Sequence, residues 1–322
     1  MNFVEKNYGG WTSQVSDHQK VFPYNASVQA IELINRWKTV FPVEDTWVQK
    51  QHKVPSLLIK LDCIYDPISG VLFVYEIDER PDGMGLAHDI NPDFAARLQG
   101  LTRKWAPVIK WVKSDKRDEG DDGHWLGCPS MNLDEYQEYL KQPEPNRKGL
   151  VLVRAEPWET EFHQLQNRAL APIAEEGKKC YGRKLNLWQK KSFKAIDTLP
   201  WHYGFAIKPL QGSKCKGIKI WHPGKKHLND RGVSGISTQS SIKEAIMREK
   251  WVYVQPLIMP LADTVKEKPF FHIYRIYFGY NVATATYEPL GGTWVGREGC
   301  LIIHGSNDAI FGPLVLEPKP KK

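Results

Sequence analysis

The sequence predicts a mixed fold, α+β with one α/β part, in which antiparallel sheets are accompanied by an additional α/β lobe. Two segments, 57–78 and 205–220, show the two-residue alternation of strands on both sides of a short turn. Another antiparallel pair is predicted over 270–287. A buried-type strand leads into a helix-like stretch over 149–176. Hairpins therefore dominate the prediction, and the β–α unit marks the separate lobe.

The composition is that of a globular protein. The chain has 322 residues, 41% of them apolar and 25% charged, which is enough for two or three packed lobes. Five cysteines form no C-x-x-C pair and are odd in number. This pattern argues against a zinc site or a disulfide framework and favours a reducing cytoplasm. We find no apolar signal segment and no apolar run of the length that a membrane span needs, so we expect no membrane contact.

The charge leaves the class of partner open. The net charge is +7, and the densest run of basic residues falls between Lys178 and Lys226. Such an excess permits nucleic-acid binding, but a local phosphate-handling site explains it equally well. Because the other basic residues are spread along the chain, nucleic acid is the less favoured partner.

Taken in order, the elements begin with a helix. The segment 27–37 places its apolar side chains on one helical face, with Asn25 or Ser27 as the N-cap. Further along, the pattern predicts a helix over 241–249 and a strand over 251–258 that ends at a proline.

The C-terminal part is predicted to contain a glycine-rich loop and a short strand. Glycine is frequent over Gly291–Gly299, which favours a loop there. Cys300–Ile303 follows as a short buried strand. We divide the chain into three parts, 1–148 with the hairpin of 57–78, 149–200 with the α/β lobe, and 201–322 with the hairpin of 205–220 and the C-terminal strands.

The first hairpin carries acidic residues in otherwise apolar strands. Since side chains alternate along a strand, Lys60 and Asp62 share a face, and so do Glu76 and Asp78. Buried carboxylates are costly unless they are paired or bound to a cation. Two interpretations stay open: an ion-pair cluster on a solvated face, or a Mg²⁺ site of oxygen ligands that also meets nucleotide phosphates.

The second hairpin encloses a basic, glycine-containing loop. Glycines let backbone N–H groups approach an anion closely, and lysines add compensating charge. The loop either closes over nucleotide phosphates or is the turn of an ordinary basic hairpin. Its residues with this character are Gly212, Ser213, Lys214, Lys216 and Gly217.

Several motifs occur in an order that resembles the circularly permuted branch of the ATP-grasp ligases, as in the synthetase domain of glutathionylspermidine synthase. The resemblance covers about residues 55–85 and 190–315. The motifs are Lys60-Leu61-Asp62, Tyr75-Glu76-Ile77-Asp78, Lys194-Ala195-Ile196, Ile207-Lys208-Pro209 with its loop, Tyr253-Val254-Gln255-Pro256-Leu257, Gly291-Gly292-Thr293-Trp294 and Arg297-Glu298.

The resemblance implies a circularly permuted, ATP-grasp-like fold whose antiparallel sheets enclose an ATP cleft. It implies ATP and Mg²⁺ as cofactors, and a small-molecule or peptide carboxylate joined to an amine through an acyl phosphate. It also requires that the two hairpins face each other across one cleft.

The resemblance implies three groups of site residues. Contacts to ATP fall to Lys194, Lys208, Gly212, Ser213, Lys216 and Gly217 at the phosphates and to Gln255, Pro256 and Leu257 at the adenine. Mg²⁺ would be held by Asp62, Glu76 and Asp78. Charge on the transferring phosphoryl group would be stabilised by Lys60, Arg275 and Arg297.

The chain departs from the family at several positions. Lys60 stands where the family usually has arginine, which removes bidentate contact to phosphate. Asp78 replaces the usual asparagine, and the loop 212–217 lacks an acidic residue. Three functions stay open: a carboxylate–amine ligase, a nucleotide-binding protein of the same fold without ligation, and a basic nucleic-acid-binding module.

Overall fold

The computed structural model describes most of both ends of the chain and short segments of its middle. The described residues are 3–7, 12–40, 58–78, 83–102, 109–112, 130–131, 138, 141–143, 150–153, 183–186, 199, 201–209, 217–248, 251–264, 269–281, 283–304 and 308–321.

Strands predominate among the elements that these residues form. In chain order, the elements are β1 (Phe3–Asn7), β2 (Thr12–Ser16), β3 (Lys20–Phe22), α1 (Tyr24–Val40), β4 (Leu58–Asp66), β5 (Val71–Asp78), α2 (Met84–Ile90), α3 (Pro92–Thr102), β6 (Ile109–Val112), β7 (Ser130–Met131), β8 (Leu150–Val153), β9 (Arg183–Asn186), β10 (Phe205–Pro209), β11 (Lys219–Trp221), α4 (Lys225–Asp230), α5 (Gln239–Arg248), β12 (Trp251–Pro256), β13 (Leu261–Thr264), β14 (Pro269–Asn281), β15 (Thr286–Glu298) and β16 (Ile310–Leu316).

The strands form three sheets. The main sheet has nine strands and runs β1-β2-β16-β15-β14-β4-β5, with β13 beside β14 and β3 beside β16. The second sheet runs β11-β10-β12-β9 and is antiparallel throughout. The third, β7-β6-β8, is parallel. The architecture is therefore a sheet-dominated α+β fold with a small parallel sheet, in agreement with the predicted fold class at that level.

One face of the main sheet packs against α1. Ala26, Ala30 and Ile34 of the helix are fully buried against apolar side chains of β4, β5, β14 and β16. The predicted helix is confirmed, but it begins at Tyr24, so the predicted N-caps are wrong. The backbone N–H of Tyr24 donates instead to the carboxylate of Glu317, 2.8 Å away. This cap comes from the other end of the chain.

The opposite face of the main sheet packs against the second sheet. Phe271 and Ile273 of β14 share a buried apolar layer with Ile220 and Ala206. In β10 the side chains alternate, so that Phe205 and its equivalents on that face pack against α5 instead. The predicted hairpin is confirmed, because β10 and β11 pair in antiparallel register. Its turn, 210–216, lies outside the described residues.

The glycine-rich stretch that was predicted as a loop is instead the centre of β15. Here glycines make room for aromatic rings of the neighbouring strands. A Cβ on Gly296 would lie 2.4 Å from the ring of Phe270, and one on Gly312 in β16 would lie 2.4 Å from the indole of Trp294. The loop prediction failed because the ring that explains Gly296 comes from β14, not from local sequence.

A buried amide ties the helical layer to this part of the sheet. Asn91, between α2 and α3, donates from Nδ2 to the carbonyls of Gly292 (2.9 Å) and Leu314 (2.8 Å). Its Oδ1 accepts from the N–H of Phe94 at 3.2 Å. Every polar group of the side chain is therefore satisfied, as a fully buried amide requires.

Two further expectations about elements have clear outcomes. The predicted strand over Cys300–Ile303 is wrong, since Cys300 makes one isolated bridge, to Ser234. The predicted strand of the α/β lobe is confirmed as β8, while the helix predicted after it lies outside the described residues.

The main sheet combines strands from the first and third predicted parts of the chain. Among the described helices, none has the length and apolar character to cross a membrane.

The glycine–ring contact predicts a selective loss of stability. Gly312→Ala should lower the free energy of unfolding by about 1 to 3 kcal/mol, because the new methyl group overlaps the Trp294 indole. Urea unfolding measures the change.

The matched control is Gly100→Ala on α3, where a Cβ meets no atom within 4 Å. This variant should gain about 0.5 to 1 kcal/mol from helix propensity. Equal stability of Gly312→Ala and the unaltered chain would contradict the packing argument.

Candidate active site between the main and second sheets

A row of charged side chains crosses three strands of the main sheet. Arg275 of β14 lies opposite Asp62 of β4, and Asp62 lies opposite Glu76 of β5. Arg275 Nε is 3.5 Å from Asp62 Oδ2. Lys60 follows on the same face of β4, opposite the backbone of Asp78. The hairpin thus brings together the residues that its alternation predicted.

This row is buried. Lys60 is 5% exposed and Asp62 7%. The Arg275 guanidinium lies 6.0 Å from the ring of Phe311 in the apolar layer between the sheets. A buried ion pair contributes little net stability, because the loss of hydration offsets the attraction between the two charges. A contribution to stability therefore does not explain why charged residues occupy these positions.

One carboxylate oxygen in the row has the character of a ligand position. Asp62 Oδ1 is inaccessible to water and accepts no hydrogen bond from any residue that the structure describes. A buried acceptor left in this state is costly unless a donor or cation meets it. Glu76 lies directly across the ladder and supplies the same hard oxygen chemistry. Asp62 and Glu76 therefore place two carboxylates at paired positions on one face of the sheet.

The predicted third metal ligand is only partly described. The backbone of Asp78 pairs with Lys60 in β5, and its side chain lies outside the described atoms. Among the side chains that are described, no three His, Cys, Asp or Glu residues form a metal-binding group.

Lys208 connects the second sheet to this row. Its Nζ donates to the backbone carbonyl of Tyr75 at 2.8 Å, and Tyr75 immediately precedes Glu76. Lys208 shares its face of β10 with Ala206, which packs in the layer between the sheets. The expected proximity of the two hairpins is therefore confirmed at Lys208.

Tyr75 is the residue that sequence analysis missed. The β4–β5 register shifts so that Asp62 pairs with Glu76 and Cys63 with Val74, which leaves Tyr75 as the extra residue of a bulge. Its hydroxyl donates to the carbonyl of Ile258 at 3.2 Å. Burial raises the pKa of this hydroxyl, which keeps the donor protonated. No glycine or other local signal marks the bulge.

The predicted adenine contacts lie at the end of β12. Gln255 and Pro256 pair through their backbones with β10. The N–H of Leu257 donates to the carbonyl of Gly204 at 2.9 Å. The backbone at the end of β12 is thus tied to the turn that precedes β10.

The predicted phosphate loop is described only at its end. Gly217 has a positive φ of 81°, a conformation that favours glycine. The remaining predicted contacts, Lys194, Gly212, Ser213 and Lys216, lie outside the described residues.

Arg297 lies apart from the charged row. It is opposite Phe271 in the β14–β15 ladder, four residues along from the level of Arg275, or about 13 Å at the rise of a strand. Its guanidinium donates to the carboxylate of Asp308, at 2.5 and 3.0 Å, and to the carbonyl of Ile302 at 2.7 Å. These contacts hold the segment that follows β15.

A second polar cluster lies on the other face of β14. Lys20 Nζ donates to Asp263 Oδ2 at 2.6 Å, and His272 Nδ1 is 3.4 Å from the same oxygen. The pKa of His272 is lowered from 6.5 to about 4, mainly by burial and also by the charges of Lys20 and His18, while Asp263 acts in the opposite direction. His272 is therefore a neutral packing residue at physiological pH.

Comparisons with known proteins add little to this geometry. No family model matches the chain, and no curated protein matches it. Among solved structures, 22 chains are similar. One is described as a "putative gamma-glutamylcysteine synthetase" from Methylobacillus flagellatus KT, with 11% identity, a TM-score of 0.41, and coverage of 92% of this chain and 90% of that one. A likeness at that TM-score carries no argument about fold or activity, so the function has to be argued from the site residues.

The neutral His272 predicts an acid-dependent loss of stability. Its pKa is lower in the folded chain than in the unfolded one, so the unfolded chain binds the proton first. The free energy of unfolding should fall as the pH drops from 6.5 towards about 4, by up to roughly 3 kcal/mol from this residue.

Urea unfolding across this pH range tests the effect. His272→Phe should remove that part of the slope, whereas His227→Gln, at an exposed histidine of α4, should leave it intact. Identical slopes for His272→Phe and the unaltered chain would refute the assignment.

Proposed function

We propose that this chain is an ATP- and Mg²⁺-dependent ligase that joins a carboxylate to an amine through an acyl phosphate. Its fold would be of the circularly permuted ATP-grasp type. The observation that best supports the proposal is the contact between Lys208 and Tyr75. That contact joins the two hairpins, which come from distant parts of the chain and which resemble the phosphate and metal motifs of one cleft.

Lys208 is suited to the phosphate role without leaving its present partner. A lysine ammonium has three donors, and the carbonyl of Tyr75 takes one of them. Two donors are then available for phosphate oxygens. The loop 212–217 would cover the phosphates, and the backbone around Leu257 would meet the adenine.

The charged row divides into two roles. Asp62, through Oδ1, and Glu76 would hold Mg²⁺, which neutralises phosphate charge when it is bound. Arg275 and Lys60 would stabilise the charge that develops on the transferring phosphoryl group. Of the two arginines predicted for this role, we assign it to Arg275, because Arg297 lies further along the sheet and binds Asp308.

The proposed chemistry needs no protein nucleophile. A carboxylate oxygen of the substrate attacks the γ-phosphorus, and the bond from that phosphorus to the bridging oxygen of ADP breaks. The amine nitrogen then attacks the acyl carbon, inorganic phosphate leaves, and the nitrogen loses a proton. The protein contributes positioning and fixed charge.

A second candidate is a nucleotide-binding protein of the same fold without ligation. It is favoured by the ion pair of Arg275 with Asp62, because Asp62 Oδ2 already has a positively charged partner without a metal ion. Consumption of ATP with a pool of amino acids, peptides and polyamines distinguishes the ligase from this alternative.

Nucleotide binding should depend on Lys208. We expect Mg²⁺-ATP to raise the melting temperature of the unaltered chain and Lys208→Ala to weaken the ATP affinity by about 10- to 100-fold, since a charged hydrogen bond is lost. Thermal-shift titration measures both. Lys243→Ala, at an exposed lysine of α5, should bind ATP normally. An unchanged affinity in Lys208→Ala would exclude this phosphate site.

Turnover should depend on Asp62. Asp62→Asn keeps the shape of the side chain but removes its charge, and we expect ADP release to fall by at least about 100-fold. Asp263→Asn, on the other face of the sheet, serves as the control and should retain activity. Equal rates in Asp62→Asn and the unaltered chain would contradict the proposed role of the carboxylate.

A further inference from the structure

The turn before β10 presents two aromatic rings to solvent. His202 and Tyr203 contact each other with ring centroids 4.2 Å apart, and Tyr203 is 66% exposed. The turn is held from below by Trp201, whose ring packs against Phe205 and Trp221 at 5.4 and 5.3 Å. Trp201, Phe205 and Trp221 therefore form a packed aromatic base beneath the exposed pair.

The base is fixed by hydrogen bonds as well as by packing. Trp221 Nε1 donates to the carbonyl of Trp201 at 2.8 Å. The carbonyl of Gly204 accepts from the N–H of Leu257. The backbone of the turn is thus held at both ends, at Trp201 and at Gly204.

Basic residues follow the segment that contacts this turn. A Cβ on Gly204 would be 3.5 Å from Cδ2 of His222, so the turn adjoins the segment that leads into α4. That helix opens with Lys225, Lys226 and His227, the last two of which are exposed. Within 217–231 the charged residues are Lys219, Lys225, Lys226 and Arg231 against Asp230.

Exposed rings beside cations form a particular kind of surface. Single exposed aromatic residues are common and need no explanation. Here two contacting rings adjoin a local excess of positive charge, which disfavours an apolar partner. Single-stranded nucleic acid offers both complementary features, because its bases stack on aromatic rings and its phosphates attract lysines.

We propose that His202, Tyr203, Lys225 and Lys226 form a binding surface for single-stranded nucleic acid. The two rings stack against bases, and the two lysines contact the backbone phosphates. This function goes beyond the ligase reaction and uses none of the residues in the charged row. Lys208 and Tyr75, whose contact supports the ligase proposal, are not part of this surface.

The rings are tested with a fluorescent oligouridylate of about 12 nucleotides, a length within the range of such sites, and the full chain. We expect anisotropy to show binding, and Tyr203→Ala to weaken it by about 5- to 100-fold, as the loss of one stacked base does. Tyr203→Phe retains the ring and should bind as the unaltered chain does. Circular dichroism verifies that each variant is folded.

The lysines are tested by salt dependence. The combined change Lys225→Gln and Lys226→Gln should lower the slope of log affinity against log salt by about 1.4, or about 0.7 for each phosphate contact. Lys243→Gln, a lysine of α5 outside the surface, should leave the slope unchanged.

The proposal would be overturned by the absence of oligouridylate binding, by equal affinity in Tyr203→Ala and the unaltered chain, or by a slope lowered as much by Lys243→Gln as by the double variant. Complete competition by inorganic polyphosphate with no effect of Tyr203→Ala would also overturn it, since the surface would then bind polyanions without stacking. Stabilisation by Mg²⁺-ATP should be the same in Tyr203→Ala and the unaltered chain, so the ligase proposal is judged separately.

Discussion

The close approach of aromatic rings to glycine positions is the constraint on which the main sheet depends. Trp294 and Phe270 lie across positions where the neighbouring strand has no side chain, and Trp294 is fully buried. Its indole also donates to the carbonyl of His18, which ties the N-terminal segment to the same contact. Because β14 pairs with both β15 and β4, the strand that these contacts align with β15 is also the strand that carries Arg275 opposite Asp62.

The candidate site illustrates how buried charge is tolerated when it is balanced. Lys60 and Arg275 carry two positive charges, and Asp62 and Glu76 two negative ones, within a layer that is otherwise apolar. A ligand that brings both Mg²⁺ and phosphate adds charges of both signs, so that the carboxylates and the cations of the row would each meet an opposite charge. Ile273 of β14 lies between the levels of Arg275 and Arg297 on this face of the sheet, so the two arginines predicted for the site have different surroundings.

Local patterns predicted the hairpins, because both partners of a hairpin lie within a few residues of one another. The clustering of Lys60, Asp62 and Glu76 followed from the same locality. The short strands β1 to β3 were not foreseen, since β3 has three residues and pairs with β16 at the other end of the chain. The cap of α1 by Glu317 and the glycines of β15 escaped prediction for the same reason: the group that explains each is distant in sequence.

The bulge at Tyr75 provides contacts to the second sheet that the pairing of β4 with β5 does not require. Val74 and Glu76 keep their ladder partners on either side of Tyr75, so a chain without this residue could form the same ladder with the same side chains on each face. Such a chain would lack the hydroxyl and the carbonyl that reach Ile258 and Lys208. A single in-frame deletion of the Tyr75 codon would therefore remove these contacts between the two sheets and leave the pairing of β4 with β5 in place.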